Sequence, residues 1–331
     1  MQASLKVFAP VLLLLLAGLL LAACGETAAP AAGDDDDTLL IGMSQANNAE
    51  SWRTVMNEQI AAAAAQYPEL EVVFADAQQN SAQQVADIEQ FLQQEIDLLI
   101  VSPNEAAPLT TIVSQVYEQG IPVIVLDRKI NGDSFTMWIG ADNQLIGKKA
   151  GTFVAEWCRS EGRNPCRLIE LRGLEGSTPA RERGDGFREG IAANPAAQIA
   201  ASQNADWLQN QAVDLTRAML EVNPNVDVIY AHNDPMAEGA LRALEEMNLD
   251  PAEILVVGID ALPTPDGGIQ SVLDERLDVT YVYPTGGAEA IDWAMRILTE
   301  DADPPKEVIL DTEEVVGDNA QDLLANLGGG E

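Results

Sequence analysis

Four apolar runs in this sequence end in residues that hydrogen-bond well, and the same residue types recur at each end. Leu39 to Met43 leads into Ser44-Gln45-Ala46-Asn47 and then Glu50-Ser51-Trp52-Arg53. Ile121 to Leu126 ends in Asp127-Arg128. Val228-Ile229-Tyr230 leads to Ala231-His232-Asn233-Asp234, and Val256 to Ile259 ends in Asp260. Planar carboxylate, amide and guanidinium groups can pair with two neighbouring hydroxyls at once. Trp52 and Trp207, each at a strand-to-helix junction, are candidates for a ring that covers an apolar C–H face. Together these groups suit a small polyhydroxylated molecule. Taken singly, an Asp, Asn or Trp at a helix start is an ordinary cap or staple. The coincidence over four strand ends carries the reading.

Other chemistry fits the sequence less well. Gly140 and Gly147-Lys148-Lys149 bear a superficial likeness to a phosphate-cradling loop, but six residues separate the glycines and no Ser or Thr follows the lysines. There is no GxGxxG motif. Nucleophilic catalysis would depend on His232, the single histidine, which reads as a polar lining or capping residue. With 53 acidic side chains, some pair of carboxylates will lie close, so a glycosidase-like pair stays open as an alternative. No cofactor is expected. Two thiols and one histidine make a poor metal site.

The elements that must hold these residues follow from periodicity. Leu39–Met43, Glu71–Ala75, Leu98–Val101 and Pro122–Leu126 read as buried strands. Between them, 54–66, 81–95 and 108–119 carry apolar residues three or four apart, such as Val85, Ile88, Phe91 and Leu92. The pattern then starts again. Strands are expected at 167–171, 199–202, 226–230 and 254–259, with helices at 147–159, 180–193, 211–222 and 235–247. Such alternation predicts an α/β chain of two doubly wound, Rossmann-like parallel-sheet lobes. Three crossover segments would join them: Met137–Asn143, Tyr281–Pro284 before a helix at 286–299, and the region after a strand at 307–310. The expected division is 38–141 plus 283–311 for one lobe and 142–282 plus 312–331 for the other. In open sheets of this kind ligands bind beyond the carboxyl ends of the strands, where the polar residues above fall.

The amino end sets the compartment. Lys6 precedes the apolar run Val11 to Ala23, too short for a spanning helix but fitting a signal-peptide core. Leu21-Ala22-Ala23-Cys24-Gly25 looks like a lipoprotein cleavage box, so residues 1–23 would be removed and Cys24 lipidated. Residues 24–37, rich in Ala and Pro and ending in Asp34 to Asp37, read as a disordered acidic tether. The expected location is the outer face of the cell membrane or the periplasm. If Cys24 carries lipid, Cys158 and Cys166 remain as a structural pair where disulfides persist. A bridge there would close a short loop and contribute about 2–3 kcal/mol on the chain-entropy model. The net charge of −35 would repel phosphate backbones and argues against nucleic acid as a partner.

These motifs resemble bacterial sugar-binding proteins of the ribose-binding type, and within them the galactofuranose-binding proteins of ABC importers. The likeness runs from about Leu39 to Asp311 and is densest in Ser44 to Arg53, Ile121 to Arg128, Ile139 to Asn143, Ala180 to Phe187, Tyr230 to Asp234 and Gly258 to Asp260. It implies the type I periplasmic-binding-protein fold, no enzymatic activity, and capture of a monosaccharide for a permease with a separate ATPase. It implies that Trp52 and Arg53 close over the sugar with Glu50 or Ser51 assisting, and that Asp127 and Arg128 pair with hydroxyls. Arg183, Asn233 and Asp260 match the second lobe's polar ligands, and Trp207 matches the aromatic position of ribose-binding relatives. Ser51 abuts Trp52 where relatives place a residue between them, which leaves open whether Glu50 or Ser51 faces the ligand. Val228 stands where close relatives carry a cysteine bridged to the Cys166 position, which makes Cys158 the partner here. A sensor feeding a membrane receptor shares this architecture. A sugar-responsive repressor shares its core but would need a DNA-binding helix-turn-helix at the amino end.

Overall fold

A computed structural model describes residues 38–328 of the chain. The expected signal peptide, the acidic tether and Cys24 lie outside the described residues. The first βα series forms a parallel sheet of β1 (Leu39–Gln45), β2 (Leu70–Asp76), β3 (Leu98–Val101), β4 (Val123–Leu126) and β5 (Met137–Ala141), completed by β11 (Glu307–Leu310). The order across it is β11-β5-β4-β3-β1-β2. Every residue of β3 and β4 is buried, as strands covered on both faces require. The covering helices are α1 (Ser51–Ala64), α2 (Ser81–Gln93), α3 (Ala106–Glu118) and α9 (Gly287–Glu300). Asn80 starts α2 by accepting from the Ala82 and Gln83 amides.

The second series forms a parallel sheet of β6 (Cys166–Arg172), β7 (Ala197–Asn204), β8 (Val228–Ala231) and β9 (Leu255–Val257), in the order β7-β6-β8-β9. Its helices are α4 (Asn143–Ser160), α5 (Thr178–Ile191), α6 (Gln209–Val222), α7 (Asp234–Glu246) and α8 (Gly268–Leu273). Bridges from Val257 to Val279 and from Asp260 to Val282 lay the segment containing β10 (Thr280–Tyr281) along this sheet. β10 pairs antiparallel with β12 (Glu314–Val315), and α10 (Ala320–Gly328) closes the described chain.

α4 and α5 approach backbone to backbone. A Cβ at Gly147, Gly151, Gly186 or Gly190 would come within 2.4 Å of the opposing helix's main chain. Gly147 meets the Arg183 carbonyl, so the glycine-lysine sequence is a helix-packing feature and cradles nothing. This close packing fixes α5, which carries Arg183.

Most boundaries shift by a few residues, and two of the shifts bear on the site. Met137–Asn143 was expected to cross between lobes, yet Met137–Ala141 pairs with β4 and β11 as a strand of the first sheet. The crossing there narrows to Asp142, whose carboxylate caps α4 at the Leu145 amide. α1 begins at Ser51 rather than Thr54, because Trp52 and Arg53 are buried and form its first turn. Cys158, near the end of α4, is bonded to Cys166 at the start of β6, with the Cα atoms 5.9 Å apart.

Candidate functional site

Arg53 is the centre of the first-lobe half of the cleft. It is 1% exposed, and its guanidinium donates to Gln45 Oε1 (2.6 Å), Ser102 Oγ (2.9 Å), Asp127 Oδ2 (3.1 Å) and, through Nε, Glu50 Oε1 (3.2 Å). Burial alone would lower its pKa. The adjacent Glu50 and Asp127 carboxylates outweigh that and raise it. Glu50 precedes α1 without capping it, since its carboxylate is turned to Arg53 and to Asn47 Nδ2 at 2.7 Å. Asp127 follows β4 with φ at +65°. Arg128 follows, 2% exposed, and donates to the Asn104 carbonyl at 2.8 Å. Its pKa falls to about 10 through burial and then the neighbouring Arg53.

The second-lobe half is built differently. Arg183 donates through Nε to Asn143 Oδ1 at 2.8 Å and through Nη1 to the His232 carbonyl. The Trp207 ring lies 5.5 Å from both the Arg128 and the Arg183 guanidinium carbons. Space for that ring depends on Gly173, where a Cβ would sit 2.1 Å from the indole. Trp207 and Asp206 both have positive φ, +71° and +52°. Asn233 caps α7 through the Met236 amide and donates to the Trp207 carbonyl. Asp260 is 6% exposed; its backbone carbonyl accepts from the Tyr283 amide (3.1 Å), but its carboxylate receives no hydrogen bond from any described residue, and its nearest cation is Arg183 Nη1 at 3.9 Å. Burial, then the charge of Asp234, push its carboxyl well above the usual range.

Behind this half lies His232, fully buried. Its Nε2 faces Glu170 at 3.2 Å, and its Nδ1 accepts from the Gly173 amide at 3.4 Å. Burial lowers the imidazole pKa. The neutral Nε2–H tautomer therefore satisfies both neighbours, since Glu170 can only accept and Gly173 can only donate. His232 thus ties Arg183, through its carbonyl, to the turn that makes room for Trp207.

Tyr283 joins the halves. It stacks on Trp52 with ring centroids 5.1 Å apart, and its carbonyl accepts from Trp52 Nε1 at 2.8 Å. Its hydroxyl donates to Asp127 Oδ1 (2.7 Å) and accepts from Asn143 Nδ2 (3.2 Å). Arg183 lies over its ring at 4.3 Å.

The structure brings Glu50, Trp52, Arg53, Asp127, Arg128, Arg183, Trp207, Asn233 and Asp260 around one gap of about 280 Å³, with Tyr283 and Pro179. Of the residues expected to touch the sugar, Ser51 alone stands outside: it is exposed and lines a neighbouring groove. Its position in the first turn of α1, after Glu50 has turned inward, accounts for this. Tyr283 escaped the reading because it belongs to a crossover and not to a strand end. The Tyr281–Pro284 crossover was itself visible, and its aromatic content was the available signal. Gly173 and the Glu170–His232 pair left no trace in residue type or spacing.

Lobe closure is also held outside the gap. Ala106 N donates to the Gly176 carbonyl (3.1 Å), Lys129 N to Thr178 Oγ1 (3.0 Å) and Gln79 Nε2 to the Asp206 carbonyl (3.2 Å). Among the described residues no cluster of three or more His, Cys, Asp or Glu suits a metal ion.

Two parallel-sheet lobes joined by three crossings, with a polar and aromatic site shared between them, define a two-lobed solute-binding architecture. Residues 41–302 match the periplasmic binding protein domain model, and the chain belongs to that family. It is 34% identical to the ribose import binding protein of Salmonella typhimurium over 229 residues, covering 69% of this chain and 74% of the relative. It is 28% identical to the galactofuranose-binding protein of Escherichia coli over 232 residues, covering 68% and 72%. Among solved structures it resembles the fructose-binding periplasmic domain of a hybrid two-component system, with a TM-score of 0.83 and 38% identity over 88% of this chain and 95% of that one. These relatives bind solutes and are not enzymes, and the fold class is the type I one that the sequence resemblance implied.

Proposed function

We propose that this chain is an exported lipoprotein that captures a monosaccharide of the galactofuranose kind between its lobes and delivers it to an ABC importer. The observation that carries this reading is the gap itself. Three arginines, three carboxylates and three aromatic rings from both lobes surround one gap. Carboxylates and guanidiniums take vicinal hydroxyls in pairs, while Trp52, Trp207 and Tyr283 offer faces to C–H groups. The ribose- and galactofuranose-binding relatives support the sugar class and the importer.

The lobes, taken as 38–141 plus 283–311 and 142–282 plus 312–331, rotate about the three crossings. A sugar touching both lobes binds the closed form better and shifts the population toward it. The amino end supports export and a lipid anchor on Cys24 at the outer membrane face. The permease and its ATPase are separate chains. A second reading, delivery of the sugar signal to a membrane receptor, is favoured by the likeness to the fructose-binding domain of a two-component system.

Calorimetric titration of ligand-stripped protein with galactofuranose, galactose, fructose, ribose, arabinose and xylose tests the sugar reading. The expected result is one-to-one binding of one sugar at micromolar affinity or better, abolished in Arg128→Ala. Silence toward the whole panel would remove the simple-sugar assignment.

A further inference from the structure

Beside the cleft lies a second, larger cavity. It is open to solvent, and the two share Glu50, Trp207 and Asp260 in their linings. The larger groove is lined from both lobes, by Ala49 and Ser51 on one side and by residues such as Leu208, Gln209, Pro265 and Gln270 on the other. Gln209 and Ser51 are exposed, so the groove reaches solvent. It adjoins the ligand site.

We infer that the site accepts the sugar as the terminal unit of a short neutral glycoside, with the sugar in the cleft and the next unit in this groove. This rests on the sugar reading above and extends it to substrate class. Asp260 lies where the two linings meet: its carboxyl belongs to both and receives no hydrogen bond from any described residue. A ligand hydroxyl placed there supplies a donor.

The groove's chemistry narrows what lies in it. Its one guanidinium, Arg276, is already held by Glu238 at 2.8 Å and Glu245 at 3.1 Å. Asp266 and Asp274 add negative charge to the lining. A phosphorylated or carboxylated unit would meet repulsion there. Amides at Gln209 and Gln270 beside apolar Leu208, Leu262 and Pro265 suit a neutral sugar, whose own surface alternates hydroxyls and C–H groups. Because Ser51 and Ala49 belong to the first lobe, a second unit touches both lobes and adds to closure instead of opposing it.

Titration of the ligand-stripped protein with galactofuranose and with its β-(1→5) and β-(1→6) homodisaccharides tests this, as does fructose paired with inulobiose. A disaccharide of two identical units presents either end to the cleft, so the direction of extension need not be known. The expected result is a disaccharide dissociation constant within threefold of the monosaccharide's, or lower. Gln270→Trp, which fills the groove, should weaken the disaccharide at least 30-fold and leave the monosaccharide within twofold. Gln209→Trp, at the exposed start of α6, repeats the test should the first variant fold poorly. A monosaccharide that binds while every disaccharide is weaker by 100-fold or more overturns the groove and spares the sugar reading. Equal effects of the tryptophan variants on both ligands overturn it too. Silence toward all of these sugars removes both together.

Discussion

The two halves of the cleft carry similar residue types but satisfy them in opposite ways. In the first lobe, Arg53 donates four hydrogen bonds and holds Glu50 and Asp127 in place, with Gln45 and Ser102 filling the remaining directions. In the second lobe, the Asp260 carboxylate has no donor among the described residues, and the indole N–H of Trp207 is buried without an acceptor. The backbone there is strained as well, with positive φ at Asp206, Trp207, Asp260 and Ala261. The first half is therefore organised within the fold itself, whereas the second half keeps polar groups without partners among the described residues. Closure that supplies no donor to Asp260 buries an unpaired acid, which disfavours closing on nothing.

Breaking the organised half should cost most. Arg53→Ala removes the cation between two buried carboxylates and is expected to destabilise the fold by about 3–5 kcal/mol, with sugar binding lost as well. Thermal unfolding measures it, and an unchanged midpoint would contradict the view that the first half is a load-sharing network. Asp234, a buried second-lobe acid that lines the neighbouring groove, behaves in reverse. Burial raises the Asp234 carboxyl to about 6 in the folded chain, against about 4 when unfolded. The folded state then binds more protons between those values, so this group makes stability fall as pH rises from about 4 to 6. The full effect is about 3 kcal/mol at most. Asp234→Asn should remove that slope from chemical-denaturation midpoints measured across the window; a slope that persists places its origin elsewhere.

Two further changes sharpen the contrast. Gly173→Ala pushes a methyl into the Trp207 ring and should cost about 1–3 kcal/mol, with sugar affinity down at least 30-fold and tryptophan fluorescence altered. Unchanged affinity would show that Trp207 does not touch the sugar. Asp260→Asn is expected to leave stability unchanged or raise it by about 1 kcal/mol, since the cost of burying an acid with no hydrogen-bond donor is removed. Affinity should nonetheless fall at least tenfold. A loss of stability instead would show that Asp260 is paired within the fold.

The same contrast explains what the sequence disclosed. The first-lobe residues follow directly on apolar strand runs, and Glu50 to Arg53 and Asp127-Arg128 could be read from position alone. Both sheets were legible because β3 and β4 are unbroken apolar runs and the helices keep their period. The second-lobe half depends on shape. Gly173 matters for the space it leaves, and His232 for its carbonyl and its tautomer, and neither property is written in a residue type. Tyr283 reaches the cleft from a crossover, where strand-end reasoning does not look. Ser51 and Glu50 are neighbours in sequence, and only the start of α1 decides that one turns inward and the other out.

Solution scattering of the ligand-stripped protein, with and without the sugar that titrates, tests most directly whether ligand completes the second half and closes the lobes. The expected result is a larger radius of gyration without sugar and a compact form with it, and an Asp260→Asn protein whose ligand-free form is already shifted toward the compact one. A sugar that binds while leaving the radius unchanged in both proteins would contradict ligand-driven closure.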